Sequence, residues 1–174
     1  GKVIARSAAD RLARVSLELG GKNPFIVCDD ADLEKAAEWA VLSAFSNAGQ
    51  RCASGSRIIV FKNIYKKFKE KFVSKTKSLK LGVNPSCDVG PVINSNQLIN
   101  ILNAIKTARA HNGKVLCGGK RAEVKGLKNG YYIQPTIIDG LPNSHEINQL
   151  ELFGPVATLI PADDLYDALD IAND

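Results

Sequence analysis

The sequence predicts an α/β fold in which helices cover both faces of a mostly parallel sheet, a three-layer α/β/α arrangement. Short apolar runs of strand length, such as residues 25–28 and 58–61, alternate with longer amphipathic stretches of helix length. This alternation is typical of a parallel sheet, because parallel neighbours need a long connection between them. The chain has 174 residues, 45% of them hydrophobic, which is enough for one domain with its own core.

The first elements are short. Residues 4–12 are apolar or small and predict a short helix. Residues 14–19 alternate apolar and polar side chains and predict a strand, which the glycines at 20–21 end. Residues 25–28 form a continuous apolar run, as in a buried parallel strand. The acidic residues 29–32 then supply caps for a following helix.

The clearest helix covers residues 33–48, where alanine and larger apolar residues repeat at i, i+3 and i+4. It runs into a turn at Gly49. A second apolar strand at 58–61 and a lysine-rich helix at 64–79 follow it. The second half of the chain predicts further elements of both kinds. They are a loop at 82–94, a helix from an N-cap at Ser95 to 111–113, strands at 115–117 and 156–160, extended segments at 131–133 and 136–138, and an acidic helix at 163–174.

Charge and cysteine content narrow the class of protein. The net charge is +5, and much of it lies between residues 62 and 80. Ile64, Phe68 and Phe72 form one helical stripe there, so the lysines are interpreted as a solvated face. A basic nucleic-acid-binding module at 62–80 is the weaker alternative, and we expect no nucleic-acid partner.

The four cysteines show no CxxC spacing, which predicts neither a metal site nor a disulfide framework. Reduced thiols favour a cytoplasmic location. No apolar run approaches the roughly 18 residues of a membrane span, and no signal-peptide pattern opens the chain. The chain contains no methionine and begins with Gly1, which suggests a fragment or a trimmed protein.

Six motifs in order carry a family resemblance. They are residues 17–24 (Leu-Glu-Leu-Gly-Gly-Lys-Asn-Pro), 29–32 (Asp-Asp-Ala-Asp), 47–52 (Asn-Ala-Gly-Gln-Arg-Cys), 117–119 (Cys-Gly-Gly), 130–136 (Gly-Tyr-Tyr-Ile-Gln-Pro-Thr) and 151–156 (Glu-Leu-Phe-Gly-Pro-Val). On these motifs the chain resembles the catalytic domain of the aldehyde dehydrogenase superfamily, nearly end to end. The resemblance implies the fold of that catalytic domain, a small-molecule aldehyde as substrate and NAD or NADP as cofactor.

Cys52 is the first candidate catalytic residue. It lies in a glycine-containing turn beside Arg51, and a neighbouring cation favours the reactive thiolate. The resemblance implies that this thiolate attacks the aldehyde carbon, and that backbone N–H groups of the turn bind the oxyanion. Cys28 and Cys117, which fall in apolar strands, are interpreted instead as inert buried thiols.

Glu18 is the second candidate catalytic residue. A lone glutamate at a strand end is by default a solvent-facing charge. The resemblance implies that Glu18 is the base that activates water to hydrolyse the Cys52 thioester, so that the product is a carboxylic acid. Such a base needs partial desolvation to raise its pKa. The adjacent glycines leave open space, and Gly20 is assigned to the cofactor-binding set.

The remaining assignments concern the cofactor and the substrate. The resemblance implies that Glu151 accepts hydrogen bonds from the nicotinamide ribose, that Phe153 packs near the nicotinamide, and that Gln97 lies near the ribose. Many relatives carry an acidic residue where this chain has Leu150. Arg51 lines the expected substrate mouth, and its charge favours aldehydes that bear a carboxylate.

The resemblance also implies a domain division. Residues 1–16 are expected to be a remnant of the dinucleotide-binding domain, and residues 17–174 the catalytic domain without its C-terminal part. Most of the cofactor-binding surface, and the segment that forms a homo-oligomer, would then lie outside this chain. We expect the chain alone to lack dehydrogenase activity. Two alternatives remain, a non-catalytic interaction domain and a cofactor-free thiol esterase that uses Cys52 and Glu18.

Overall fold

A five-stranded sheet organises the chain. The computed structural model describes all residues from 1 to 174. The strands are β1 (Asn23–Val27), β2 (Gly55–Phe61), β3 (Lys114–Cys117), β4 (Thr136–Asp139) and β5 (Val156–Ala162). Their order across the sheet is β1-β2-β5-β4-β3, and only the edge strand β3 runs antiparallel to its neighbour. The predicted α/β class with a mostly parallel sheet is confirmed.

Helices lie on both faces of this sheet. The helices of the chain are α1 (Lys2–Ala9), α2 (Leu33–Phe45), α3 (Lys62–Lys77), α4 (Ser95–Ala110), the single turn α5 (Glu146–Gln149) and α6 (Leu165–Asn173). Alternate residues of β2 face opposite sides of the sheet. Ile58 and Val60 join the main core with α2, α3 and α4, whereas Ile59 and Phe61 pack towards Ala168 of α6.

Aromatic packing joins α2 to α3 in the main core. Phe68 and Phe72 lie one turn apart on α3 and are fully buried, with ring centroids 5.7 Å apart. Phe45, at the end of α2, stacks on Phe72 at 6.0 Å. The end of α2 is therefore held against the core at the point where the chain turns towards Cys52.

Parallel pairing sets the positions of the three segments that precede β1, β2 and β5. Asn23 at the start of β1 pairs with Gly55 at the start of β2, and Arg57 of β2 pairs with Thr158 of β5. Because the three strands are parallel neighbours, the residues just before each of them lie at the same edge of the sheet. These residues include Glu18, Cys52 and Glu151.

The structure differs from the prediction in the segment 14–19. The predicted strand is wrong, because these residues pair with no other strand and are all exposed. Their alternation has a different cause, since the side chains of Leu17 and Leu19 lie near Gly1 at the start of α1.

Helix boundaries and one short helix also differ from the prediction. Helix α2 ends at Phe45, and residues 46–49 form a 3₁₀ turn. Asn94 rather than Ser95 is the N-cap of α4, because its Oδ1 accepts the N–H of Gln97 at 2.9 Å. The single turn α5 has no counterpart in the prediction.

Acidic residues pair with the lysines of α3. Lys71 and Lys75 both contact Glu34 of α2, at 2.7 and 2.5 Å, and Lys69 contacts Asp139 at 2.9 Å. Part of the basic face is therefore neutralised within the chain, which favours the interpretation of the lysines as a solvated face over that of a nucleic-acid-binding module. No helix of the structure is both long enough and apolar enough to cross a membrane.

The Glu34 ion pairs predict an acid-dependent contribution to stability. Hydrogen bonds from Lys71 and Lys75 lower the pKa of Glu34 from 4.5 to about 2. A lowered folded-state pKa stabilises the protein above the unfolded-state value, and this contribution is lost as the pH falls from about 4.5 to 2. We expect the urea unfolding midpoint of Glu34→Gln to be lower than that of the parent at pH 7. Near pH 2 the two midpoints should be equal.

Glu123→Gln is the matched control, because Glu123 is exposed and forms no ion pair. An unchanged pH dependence in Glu34→Gln would show that the pairs contribute nothing measurable.

Candidate functional site

Three short segments meet at the amino-terminal edge of the sheet. We call them the glycine segment (residues 18–22, before β1), the thiol turn (residues 50–54, before β2) and the Glu–Phe loop (residues 151–154, before β5). None of the three belongs to a helix or strand. Their backbones are therefore held by turns and side-chain contacts rather than by the sheet ladder.

A left-handed stretch of backbone delivers the thiol turn from the end of α2. Asn47, Ala48 and Gly49 have φ values of 52°, 54° and 68°. A Cβ atom at Gly49 would overlap the carbonyl group of Gly154, so only glycine fits at this close approach. The same contact joins the chain before the thiol turn to the Glu–Phe loop.

The side chain of Gln50 anchors the thiol turn to the chain that leads into α4. Its Oε1 accepts the N–H of Ile93 at 2.9 Å, and its Nε2 donates to the carbonyl of Pro91 at 3.3 Å. Its Nε2 also donates to the carbonyl of Asn47 at 3.2 Å. The turn itself closes when the N–H of Ser54 donates to the carbonyl of Arg51 at 3.0 Å.

Cys52 lies at the exposed tip of this turn. The N–H groups of Arg51, Cys52 and Ala53 donate to no acceptor in the chain, so three consecutive donors are free beside the thiol. The other thiols are partly buried, and burial raises the pKa of Cys28 and of Cys117. Cys52 is therefore the accessible thiol of the chain, and its turn can offer hydrogen bonds to a bound oxyanion.

The residues that follow Glu18 contact the thiol turn. The side-chain nitrogen of Asn23 donates to the carbonyl of Cys52 and, at 3.3 Å, to that of Ser54. Gly21 lies beside the same carbonyl: a Cβ atom on Gly21 would be 3.7 Å from the oxygen of Cys52. The structure thus brings the glycine segment against the thiol turn, although 29 residues separate Asn23 from Cys52.

Glu18 itself is exposed. In an extended backbone it points away from the side on which Leu17 and Leu19 lie near Gly1. No residue of this chain buries its carboxylate. The surroundings of Glu18 in this chain therefore do not supply the desolvation that a catalytic base requires.

A narrow cleft joins the three segments. Its lining includes Gly21 and Lys22 from the glycine segment, Arg51 from the thiol turn, and Glu151 and Phe153 from the Glu–Phe loop. Phe153 has a φ of 50° and is 42% exposed, so its ring is open to a ligand. Arg51 forms no ion pair within the chain and presents a free positive charge at this cleft.

Gly20 has a steric role at this site. A Cβ atom there would overlap the Oε2 atom of Glu151, so the absence of a side chain leaves room for the Glu151 carboxylate. Lys22, which sequence reasoning did not single out, lies nearby. Burial lowers its pKa to about 8, with a further lowering by Arg57 and an opposing effect of Glu151.

Gln97 holds the Glu–Phe loop. Its side-chain nitrogen donates to the carbonyl of Leu152 and, at 3.2 Å, to that of Phe153. The side-chain nitrogen of Gln97 is therefore already hydrogen-bonded within the chain. Its Oε1 atom has no partner in the chain and can accept a hydrogen bond from a hydroxyl group of a ligand. The assignment of Gln97 to a ribose site stays a prediction.

The guanidinium group of Arg57, on β2, holds the end of the glycine segment. It is 4% exposed, and its Nε and Nη2 atoms donate to the carbonyl of Lys22 at 3.1 and 2.8 Å. Its remaining N–H groups donate to the carbonyls of Ile171 and Ala172 at the end of α6, at 2.8 and 2.9 Å. A buried guanidinium is thus satisfied mainly by carbonyl groups, which no local sequence pattern reveals.

No three His, Cys, Asp or Glu side chains form a cluster that could hold a metal ion.

Comparison with known proteins identifies the family. The model of the aldehyde dehydrogenase family matches residues 1–174. The chain is 46% identical to an alpha-ketoglutaric semialdehyde dehydrogenase of Bacillus subtilis and 40% identical to a betaine aldehyde dehydrogenase of Oryza sativa, each match covering 100% of this chain. Its fold superposes with a TM-score of 0.92 and 38% identity on a Staphylococcus aureus betaine aldehyde dehydrogenase in complex with NAD+, over 100% of this chain.

The match covers a limited part of each relative. The chain spans 36% and 34% of the two sequence relatives and 35% of the Staphylococcus aureus chain. The family model nevertheless matches this chain from its first residue to its last. The chain belongs to the aldehyde dehydrogenase family.

Proposed function

We propose that this chain supplies the catalytic thiol and base of an enzyme that oxidises an aldehyde to a carboxylic acid with a nicotinamide dinucleotide. One observation carries the proposal. An accessible thiol, Cys52, lies on a turn with three free N–H groups, and Gly21, three residues after Glu18, lies beside the carbonyl of Cys52. The relatives named above are aldehyde dehydrogenases, which supports the reaction class.

The geometry of the thiol turn supports the following chemistry. The Cys52 thiolate adds to the aldehyde carbon, and the carbonyl oxygen becomes an oxyanion. The free N–H groups at residues 51–53 can donate hydrogen bonds to that oxygen, and Arg51 adds positive charge beside it. After oxidation, the acyl group remains on Cys52 as a thioester.

Glu18 completes the reaction in this proposal. Its carboxylate takes a proton from a water molecule, and the resulting hydroxide attacks the thioester carbon and releases the acid from Cys52. The base is delivered from the glycine segment, whose following residue Asn23 contacts the thiol turn.

Residues in the cleft, together with the neighbouring Gln97, fit a nicotinamide dinucleotide. Glu151 presents a carboxylate in the space that Gly20 leaves open, Gln97 keeps a free oxygen acceptor, and Phe153 exposes an aromatic ring. Ribose hydroxyls and a nicotinamide ring are complementary to these groups. The cofactor, when bound, accepts a hydride from the substrate. A Staphylococcus aureus relative that binds NAD+ supports the same cofactor class here.

The same thiol and N–H groups would also support hydrolysis of activated esters without a cofactor. This second candidate function rests on the exposure of Cys52 and requires no dinucleotide. If Cys52 is the nucleophile of this reaction, Cys52→Ser should lose ester hydrolysis as well as aldehyde oxidation.

Variants of Cys52 and Glu18 test the two catalytic roles in the complete polypeptide that contains this chain. We expect Cys52→Ser to lower kcat by about 10³-fold or more, because the hydroxyl is a much weaker nucleophile. We expect Glu18→Gln to form the acyl-enzyme and then to release it roughly 10²- to 10⁴-fold more slowly. Mass spectrometry of the Cys52 peptide detects the trapped acyl group.

Cys87→Ser and Glu123→Gln are the matched controls and should behave as the parent enzyme. Parent-like turnover in Cys52→Ser, or the absence of a trapped acyl group in Glu18→Gln, would remove the assigned roles.

Gly20→Ala tests the cofactor side of the cleft. The new methyl group would displace the Glu151 carboxylate, which is the flexible end of a side chain, so we expect the free energy of unfolding to change by less than about 1 kcal/mol. Loss of a charged hydrogen bond to the cofactor should raise the KM for NAD or NADP by roughly tenfold or more. Gly90→Ala is the control, because a Cβ atom there meets nothing within 4 Å. An unchanged KM in Gly20→Ala would contradict the role of Glu151.

Arg51 suggests the class of aldehyde. Its free charge at the cleft favours substrates that bear a carboxylate, and a semialdehyde dehydrogenase is among the relatives. We expect Arg51→Ala to lower kcat/KM about tenfold or more for carboxylate-bearing aldehydes and to spare neutral ones. Arg51→Lys should retain most of the preference. Equal losses for charged and neutral aldehydes would exclude this selectivity.

A further inference from the structure

The side chain of Asn23 is the only side chain that binds carbonyl groups of the thiol turn beyond Gln50, whose carbonyl accepts from the side-chain nitrogen of Asn47 at 3.0 Å. Its primary amide has two N–H groups. The structure places its nitrogen at two acceptors, the carbonyls of Cys52 and Ser54. Asn23 is the first residue of β1, so its own backbone is fixed by pairing with Gly55 of β2. A fixed point of the sheet thus extends two donors into the turn that carries the thiol.

The turn needs such an anchor, because little else holds residues 52 and 53. They lie outside the sheet ladder, and the turn closes through one backbone hydrogen bond, from Ser54 to Arg51. The hydroxyl of Ser54 is buried without a partner and contributes no further hydrogen bond. The side chains of Cys52 and Ala53 are exposed and belong to neither hydrophobic core cluster.

Anchoring the Cys52 carbonyl also orients the neighbouring donor. The peptide group between Cys52 and Ala53 is planar and trans, so its C=O and N–H point in opposite directions. When the amide of Asn23 holds the carbonyl of Cys52, the N–H of Ala53 must point away from β1. The N–H groups of Arg51 and Cys52 belong to the peptide planes just before it and share the same short turn.

We propose that Asn23 is a positioning residue for the thiol turn: its amide fixes the peptide groups of residues 52–54 and so keeps the free N–H groups in register with the Cys52 sulfur. This inference rests on the proposed role of Cys52. Asn23 itself transfers no proton and touches no substrate. The position requires donors, because an aspartate would present only acceptor oxygens to two carbonyl oxygens.

The test compares oxyanion-forming with oxyanion-free chemistry at the same sulfur. Aldehyde oxidation passes through an oxyanion, whereas alkylation of Cys52 by iodoacetamide is a displacement at a saturated carbon and forms none. The complete polypeptide is prepared as Asn23→Ala, Asn23→Ser and Asn23→Asp. Asn129→Ala is the control, because Asn129 is exposed and its side chain forms no hydrogen bond. Each variant is assayed for kcat, KM, Tm and the rate of alkylation against pH.

In Asn23→Ala we expect kcat to fall roughly 10- to 100-fold, with the KM for aldehyde within about threefold of the parent, because a small displacement of oxyanion donors acts on the transition state. The alkylation rate should stay within about threefold of the parent, because the thiol remains exposed. Asn23→Ser keeps one hydrogen-bond donor, so its kcat should lie between those of the parent and Asn23→Ala. This variant also provides the test if Asn23→Ala does not fold. Asn23→Asp should also shift the alkylation profile to higher pH, because a carboxylate beside the thiol disfavours the thiolate.

Parent-like kcat with only a lower Tm in Asn23→Ala would overturn the proposal, since Asn23 would then merely stabilise the fold. An alkylation rate that falls in step with kcat would also overturn it, because the effect would then lie in thiol access or ionisation. Cys52→Ser separates this proposal from the proposed function. If Cys52→Ser retains turnover, the assignment of the nucleophile fails, whereas an inactive Cys52→Ser beside a fully active Asn23→Ala rejects only the positioning role.

Discussion

The parallel pairing of β2 with both β1 and β5 is the constraint on which the candidate site depends. The glycine segment, the thiol turn and the Glu–Phe loop have no ladder of their own, and each immediately precedes one of these three strands. Asn23 pairs with Gly55, and Arg57 pairs with Thr158, so the register of the sheet sets where each segment ends. A one-residue slip of β2 would exchange its two faces and move the thiol turn away from its neighbours.

Hydrogen bonds from polar side chains fix the three segments that the sheet brings close together. Asn23, Gln50, Arg57 and Gln97 each donate to backbone carbonyls of a distant segment. Irregular backbone near a sheet edge otherwise leaves polar groups unsatisfied, which is costly where water is excluded. The four contacts leave the N–H groups beside Cys52 unpaired while most of the surrounding carbonyls are occupied. The site is therefore rich in free donors, which suits the stabilisation of negative charge.

Periodicity predicted the elements of regular structure because their cause is local. Apolar repeats in the sequence mark the buried faces of α2, α3 and α4 and the strands of the sheet. Phe68 of α3 and Ile58 of β2 belong to such repeats, and both are fully buried. The segment 14–19 has the same alternation for another reason, contact with Gly1, and was predicted wrongly. The candidate site residues came from motif resemblance, whereas the roles of Asn23 and Arg57 depend on contacts 29 to 115 residues apart. The left-handed Ala48 is likewise invisible to propensity, because alanine is a good helix former.

The sheet order also has a consequence for how the chain acquires its structure. The central pair β2–β5 joins residues about a hundred positions apart, as in the partners Arg57 and Thr158. Such distant pairing closes a long loop and is entropically slow to form. During synthesis, β2 gains its second neighbour only after residues 156–162 have left the ribosome, so until then one side of β2 is an open edge that can associate with other nascent chains.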